Sequence, residues 1–160
     1  MDQLDYLEIK PATEKDVKIL QDLLNSLLYN ERVAFDKTLC PDWPYSDEAK
    51  QKLLRAIQDD IVLIAFYDDW PVGYLIGKFH EPTANSARSI AQAQIENIFV
   101  ESDWRKMGIG EELVNYFKAI VQRRGAKRLS VTVLAANEGA IKFYEKLDLL
   151  PRGIIYSKEI

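Results

Sequence analysis

Three groups of residues in this chain have the types and spacing to do chemistry. The first is a single bend: Arg105, Lys106, Met107, Gly108, Ile109 and Gly110. Its glycines let the backbone turn tightly and approach a ligand. A helix starting there would add unpaired N–H groups and the positive end of its dipole. Such a bend suits an anion, and a pyrophosphate is the natural guest. The second is Glu96, a lone ionisable side chain in the otherwise mostly uncharged residues 95–100. A buried strand tolerates a carboxylate only with a partner or a purpose. Strand alternation by itself favours an edge or outward-facing glutamate, and a general base is the other reading. The third comprises Asp36, Asp42, Trp43 and Tyr45, in a turn-rich stretch at residues 29–45. Charge and aromatic faces there could hold a cation, and a solvated loop with one packed Trp fits equally well.

Composition removes other chemistries. His80 is the only histidine and Cys40 the only cysteine. No internal disulfide and no His- or Cys-rich metal site can be built, so we expect His80 at a strand end and Cys40 in packing. A net charge of −4 argues against a surface that neutralises nucleic-acid phosphates. The start, Met1-Asp2-Gln3-Leu4-Asp5, is acidic and lacks the basic and apolar regions of a secretory signal. No apolar run approaches the roughly 20 residues that cross a bilayer. These features predict a cytoplasmic protein with no membrane or nucleic-acid partner.

The elements that must position these residues follow from periodicity. With 160 residues, 48% of them hydrophobic, the chain can bury one sizeable core, and one domain over residues 1–160 is expected. Residues 7–10 read as a first strand. Thr13 and Asp16 form the reciprocal cap of a helix carrying Val17, Leu20, Leu24, Leu27 and Leu28. Ser46 caps a second helix with Ala49, Leu53, Leu54 and Ile57 on its apolar face. Residues 61–67 and 72–79 flank turn chemistry at Asp68-Asp69-Trp70-Pro71 and read as a hairpin. A strand at 91–100 leads into the glycine bend. The helix after it carries Leu113, Phe117, Ile120 and Val121 and closes at Gly125. A strand at 129–134, a helix at about 137–147 with Ala140, Ile141 and Tyr144, and a last strand at 154–158 complete the chain. The order β-α-α-β-β-β-α-β-α-β predicts an α/β fold with a mixed sheet and helices packed on it.

Other anion loops match the bend less well. Glu111-Glu112 stands where a P-loop needs Lys-Ser/Thr, and Leu113 where a dinucleotide fingerprint needs a third small residue. Residues 105–110 instead match completely the pattern Gln/Arg-x-x-Gly-x-Gly/Ala, and Asn137, Ala140 and Phe143-Tyr144-Glu145-Lys146-Leu147 follow at the expected distance. On these motifs the chain resembles the GNAT N-acetyltransferases, nearest in character to members acting on small amines and polyamines. Two departures stand out. Asn97 follows Glu96 where those members often carry Asp, and Leu147-Asp148-Leu149 replaces the usual Leu-Gly-Phe.

The resemblance implies a GNAT fold with a mostly antiparallel sheet, and acetyl-CoA as co-substrate without a metal. It implies a cofactor site made by Ile98, Phe99 and Val100 on a splayed strand, by the bend at Arg105, Lys106, Met107, Gly108, Ile109 and Gly110, and by Asn137 and Tyr144. Asn137 would also serve simply as a helix cap. It further implies Glu96 as the base that deprotonates an amine, N–H groups near Phe99 and Val100 as oxyanion donors, and Tyr144 as the acid beside the sulfur. The acceptor would be a small-molecule or peptide amine, and the family leans towards a homodimer. A non-catalytic acyl-CoA-binding regulatory module of the same fold is the rival reading.

Overall fold

In the computed structural model, which describes residues 4–83 and 89–160, the run Ile61–Tyr67 lacks polar alternation because both of its faces are covered. Leu63 and Ala65 pack into one cluster while Val62 and Ile64 pack into another on the opposite face. This strand, β2, lies in a sheet with β1 (Leu7–Pro11), β3 (Trp70–His80), β4 (Gln92–Val100) and β5 (Arg128–Val131). The strands stand side by side in chain order, antiparallel except for the parallel β4–β5 pair. Helices α1 (Val17–Ala34) and α2 (Asp47–Asp59) cover one face through Leu20, Leu24, Leu27 and Leu53. Helices α3 (Ile109–Arg123) and α4 (Glu138–Lys146) cover the other through Leu113, Phe117, Val121 and Tyr144.

Local chemistry accounts for the element ends. The Asp16 carboxylate accepts the Thr13 N–H at 2.7 Å, opening a short 3-10 turn, Glu14–Asp16, that leads into α1. Ser46 Oγ accepts the Ala49 N–H at 3.1 Å and starts α2. Asp68 and Asp69 both have positive φ, 48° and 67°. They make the two-residue turn whose twist suits a hairpin, so Trp70 and Pro71 belong to β3. Gly125, at φ 93°, closes α3. Gly77 matters for packing instead. A Cβ there would lie 2.4 Å from Phe117 Cζ, so its bare backbone lets α3 seat against the sheet.

Four expectations from the sequence need correction. The stretch read as turn-rich from residue 29 is helical to Ala34, because Leu27 and Glu31 continue the spacing of Leu20 and Leu24. The strand expected at 129–134 ends at Val131, where the chain leaves β4. Cys40 is exposed rather than packed. The last strand, expected at 154–158, is not formed: residues 151–160 have no regular structure and all are exposed. Strand propensity at Ile154, Ile155 and Tyr156 does not make a strand by itself, and this segment neither pairs with the sheet nor buries a face. His80 does end a strand and is exposed. Of the turn-rich stretch at 81–88, residues 84–88 lie outside the described residues, as do the first three of the acidic start. Among the described residues no helix is long and apolar enough to cross a membrane, and no three metal-ligating side chains converge.

Candidate active site

The parallel pairing of β4 with β5 runs only from Gln92 opposite Arg128 to Ile95 opposite Val131. Beyond that point the strands part, and a cavity of about 320 Å³ opens between them. Its walls include Glu96 and Ile98 of β4, Val133 and Asn137 after β5, and Tyr144 of α4. The α1 end closes the opposite side with Leu27, Glu31, Asp36 and Leu39.

A bulge places Glu96 at the fork. Ile76 faces Asn97 and Gly77 faces Ile95, so Glu96 is the extra residue of β4 with no partner on β3. The bulge turns its side chain to the surface, where Lys78 Nζ meets Oε1 at 2.9 Å. This hydrogen bond and the nearby charge raise the Lys78 pKa. The outward orientation and the place on the cleft wall are therefore both realised in one residue.

Backbone donors in the fork follow from the β3–β4 ladder. Glu101 N–H donates to the Val72 carbonyl at 2.8 Å. Hydrogen-bonded pairs alternate along an antiparallel ladder, so Phe99, opposite Tyr74, also spends its N–H on β3. Ile98 and Val100 point their N–H groups the other way, to the side that β5 has left. The Val100 carbonyl, on that same side, accepts Arg105 Nε at 2.9 Å. Of the two expected donors, Val100 keeps a free direction and Phe99 does not. The Phe99 side chain is buried on the α1 face.

The glycine bend sits at the same end of β4. Lys106 and Gly108 adopt positive φ, 62° and 85°. Gly108 caps α3, whose first helical bond is Glu112 N–H to the Gly108 carbonyl at 3.0 Å. The N–H groups of Ile109, Gly110 and Glu111 therefore have no partner within the helix. A Cβ on Gly108 would meet only Leu4 Cδ1, at 3.8 Å, whereas one on Gly110 would lie 3.3 Å from Phe143 Cζ. Gly108 thus serves the turn and Gly110 the close approach of α4. Ile109 is buried and Met107 packs against the same cluster, so their side chains anchor the bend while its backbone faces out. Arg105 and Lys106 are exposed, the Arg105 guanidinium lying 5.4 Å from the Phe99 ring centre. Glu111 stands in the first turn but faces Lys146 at 3.7 Å. An outward main-chain concavity at a helix start fits a pyrophosphate.

Tyr144 is buried, and burial pushes its phenol up to about 12. It keeps its proton at neutral pH. Asn137 Oδ1 accepts the Ala140 N–H at 3.0 Å, so it caps α4 and lines the cleft at once. On the opposite wall, burial and the neighbouring Asp36 raise the Glu31 pKa. Asp36 itself is held low by the Thr38 hydroxyl at 2.6 Å and the Thr38 N–H at 2.9 Å. Behind Glu31 the fully buried Tyr74 hydroxyl has no hydrogen-bond partner among the described residues. Glu31 is not legible as a site residue in the sequence because the turn-rich composition from residue 29 masks the end of α1. Its signal was an acid at the next position of the 20-24-27 apolar spacing. Of the other loop candidates, Lys52 covers Trp43 and Lys18 covers Tyr45, whose hydroxyl donates to Asp22 at 2.8 Å. Only Asp36 of that group reaches the cleft.

The chain is similar to several known proteins. An uncharacterized N-acetyltransferase of Methanocaldococcus jannaschii is 28% identical over 104 residues, 65% of this chain and 45% of that protein. A putative [ribosomal protein bS18]-alanine N-acetyltransferase of Bacillus subtilis is 34% identical over 62 residues, 39% of this chain and 41% of that protein. The matched stretch thus spans less than half the length of either relative. Among solved structures, an aminoglycoside acetyltransferase from an uncultured soil metagenomic sample superposes with a TM-score of 0.74 at 20% identity, covering 98% of this chain and 99% of that one. A single-site mutant of a Bacillus halodurans protein gives 0.83 at 16% identity, covering 96% and 99%. These likenesses establish the fold. The profile of the Acetyltransferase (GNAT) family matches residues 28–149, a span that includes the fork, the glycine bend and α4, and the chain belongs to that family.

Proposed function

We propose that this protein transfers an acetyl group from acetyl-CoA to an amine in the β4–β5 fork. The observation that carries the reading is the convergence, on one cleft, of a carboxylate, a buried phenol and unspent main-chain donors beside an anion-binding bend. Acetyl-CoA, when bound, supplies the acetyl thioester. The N–H groups at the start of α3 would hold its pyrophosphate, and Asn137 would contact its pantetheine arm.

An alkyl amine has a pKa of about 10.4 and arrives protonated, so it cannot attack until a base removes the proton. Glu96 is that base. Lys78 engages Oε1, which leaves Oε2 to receive the incoming ammonium. The Ile98 and Val100 N–H groups stabilise negative charge that develops on an oxygen in the fork. Tyr144 directs its hydroxyl proton at the sulfur. A phenol at about 12 is a weaker acid than a thiol at about 8.5. Tyr144 therefore hydrogen-bonds the sulfur as charge builds, and the proton shed by the nitrogen on forming the amide neutralises the thiolate. Glu31 and Asp36 give the acceptor wall a negative potential, which favours a cationic small-molecule or peptide amine.

The rival, a non-catalytic acyl-CoA-binding module, draws support from the Lys78–Glu96 ion pair, which holds the proposed base at rest. Thiol release with a panel of amines separates the two. We expect turnover by the native protein and a loss of roughly 100-fold in kcat for Glu96→Gln. Calorimetric binding of acetyl-CoA without turnover on any amine would favour the rival, and no binding at all would sink both.

A further inference from the structure

One cation of this molecule already stands beside the carboxylate that is to receive the acceptor amine. Lys78 Nζ lies 2.9 Å from Glu96 Oε1, and Glu96 lines the cleft. Strand alternation explains the meeting. Ile76 of β3 is buried under α1 and α2, and a Cβ on Gly77 would run into Phe117 of α3 on the opposite face. Lys78 therefore takes the α1–α2 face, the one on which Leu27, Glu31 and Asp36 close the cleft, and the bulge brings Glu96 to it. Other lysines pair with carboxylates elsewhere: Lys10 with Glu8 at 2.8 Å, Lys18 with Asp22 at 2.7 Å and Lys52 with Glu48 at 3.1 Å. Glu8, Asp22 and Glu48 do not line the cleft.

The hydrogen bond and charge of Glu96 hold the Lys78 nitrogen as an ammonium, the state in which an external alkyl amine arrives. Any acceptor that Glu96 deprotonates must come within hydrogen-bond reach of it, and Nζ is within that reach at rest. The side chain is partly exposed, and rotation about its flexible stem turns Nζ towards the cleft. We propose that Lys78 is itself an acceptor: with acetyl-CoA bound and no amine present, the protein acetylates this side chain. The proposal rests on the acetyl-transfer reading above. Glu96 takes one proton from the ammonium, the freed lone pair forms an N–C bond at the thioester carbonyl carbon, and the C–S bond breaks with its electron pair going to sulfur. The second proton shed by the nitrogen neutralises the thiolate, and Glu96 returns the first to water. The products are acetyl-lysine and the coenzyme A thiol. Acetyl-lysine is neutral, so the ion pair that holds Glu96 at rest is lost in the same step.

The purified protein incubated with acetyl-CoA alone should gain the mass of one acetyl group, mapped by peptide mass spectrometry to Lys78, while Lys10, Lys18 and Lys52 stay unmodified over the same time. The rate per molecule should not change with protein concentration, since base and acceptor belong to one chain. Lys78→Arg, which keeps the positive charge, should gain no acetyl group. Glu96→Gln should slow the gain roughly 100-fold, with far-ultraviolet circular dichroism checking that both variants stay folded. Amine turnover by a protein whose Lys78 stays unmodified overturns the proposal and leaves the acetyl-transfer reading standing. Acetylation of all four lysines at like rates, a rate that rises with protein concentration, or an undiminished gain in folded Glu96→Gln overturns it as well. Neither amine turnover nor acetylated Lys78 removes proposal and reading together. Acetylated Lys78 without turnover on any external amine supports the proposal and makes this lysine the acceptor.

Discussion

The cleft and the glycine bend beside it are built in different ways. Beside the cleft, on the side proposed for the cofactor, the bend from Arg105 to Gly110 presents backbone, and the side chains of Met107 and Ile109 are turned inward to hold it. On the side proposed for the acceptor, the wall carries the carboxylates of Glu31, Asp36 and Glu96, brought together from α1, the loop after it and a bulge in β4. A main-chain site needs a particular local conformation and tolerates most side chains. A side-chain site needs particular residues and depends on every element that carries them. The first kind can be read from six consecutive letters, while the second is assembled only when the helix and the strand meet.

Substitutions can break this contrast at points of decreasing force. The largest effect is expected at Tyr144, on the cleft wall. Tyr144→Phe should lower kcat roughly 100-fold with KM for either substrate little changed, because only a hydrogen bond made as charge builds is lost. Since the phenol titrates at about 12, the native pH–rate profile should show no Tyr144 ionisation below about pH 10, the ordinary value for a tyrosine. An alkaline limb near neutrality that disappears in Tyr144→Phe would contradict the assignment.

A smaller effect belongs to the backbone bend. Gly108→Ala forces a Cβ onto a residue at φ 85°, a conformation that costs an L-residue about 1–2 kcal/mol. Acetyl-CoA affinity measured by calorimetry should fall by about tenfold, the equivalent of about 1.4 kcal/mol, while discrimination among acceptors stays unchanged. A shift in acceptor preference would blur the contrast.

The smallest effect is expected at the side-chain wall. Glu31→Gln removes one partly exposed charge and should raise KM for cationic acceptors about fivefold, leaving acetyl-CoA binding alone. The pH dependence has a definite sign. Burial raises the folded-state pKa of Glu31 above its ordinary value, so its contribution to stability is present at low pH and is lost as pH rises through the folded pKa. The ionised form that attracts the acceptor is the destabilised one. Glu31→Gln should therefore leave the melting temperature at neutral pH unchanged or slightly raised, even as acceptor binding weakens. A lowered melting temperature would mean that Glu31 serves the fold and not the cleft.

The bend, the capping by Thr13 and Asp16 of the turn that leads into α1, the capping of α2 by Ser46, the place of the hairpin turn, which proved two residues shorter than expected, and the closure of α3 at Gly125 were legible in the sequence. Each depends on interactions within a few residues, so local spacing is enough to specify it. Tertiary structure alone decided that Glu96 is the extra residue of a bulge held by Lys78, that Glu31 faces the cleft and that Val100 rather than Phe99 keeps a free N–H. It also decided that residues 154–158 join no strand of their own sheet. These outcomes depend on register and on which surfaces remain open after packing, and no stretch of adjacent residues carries either quantity.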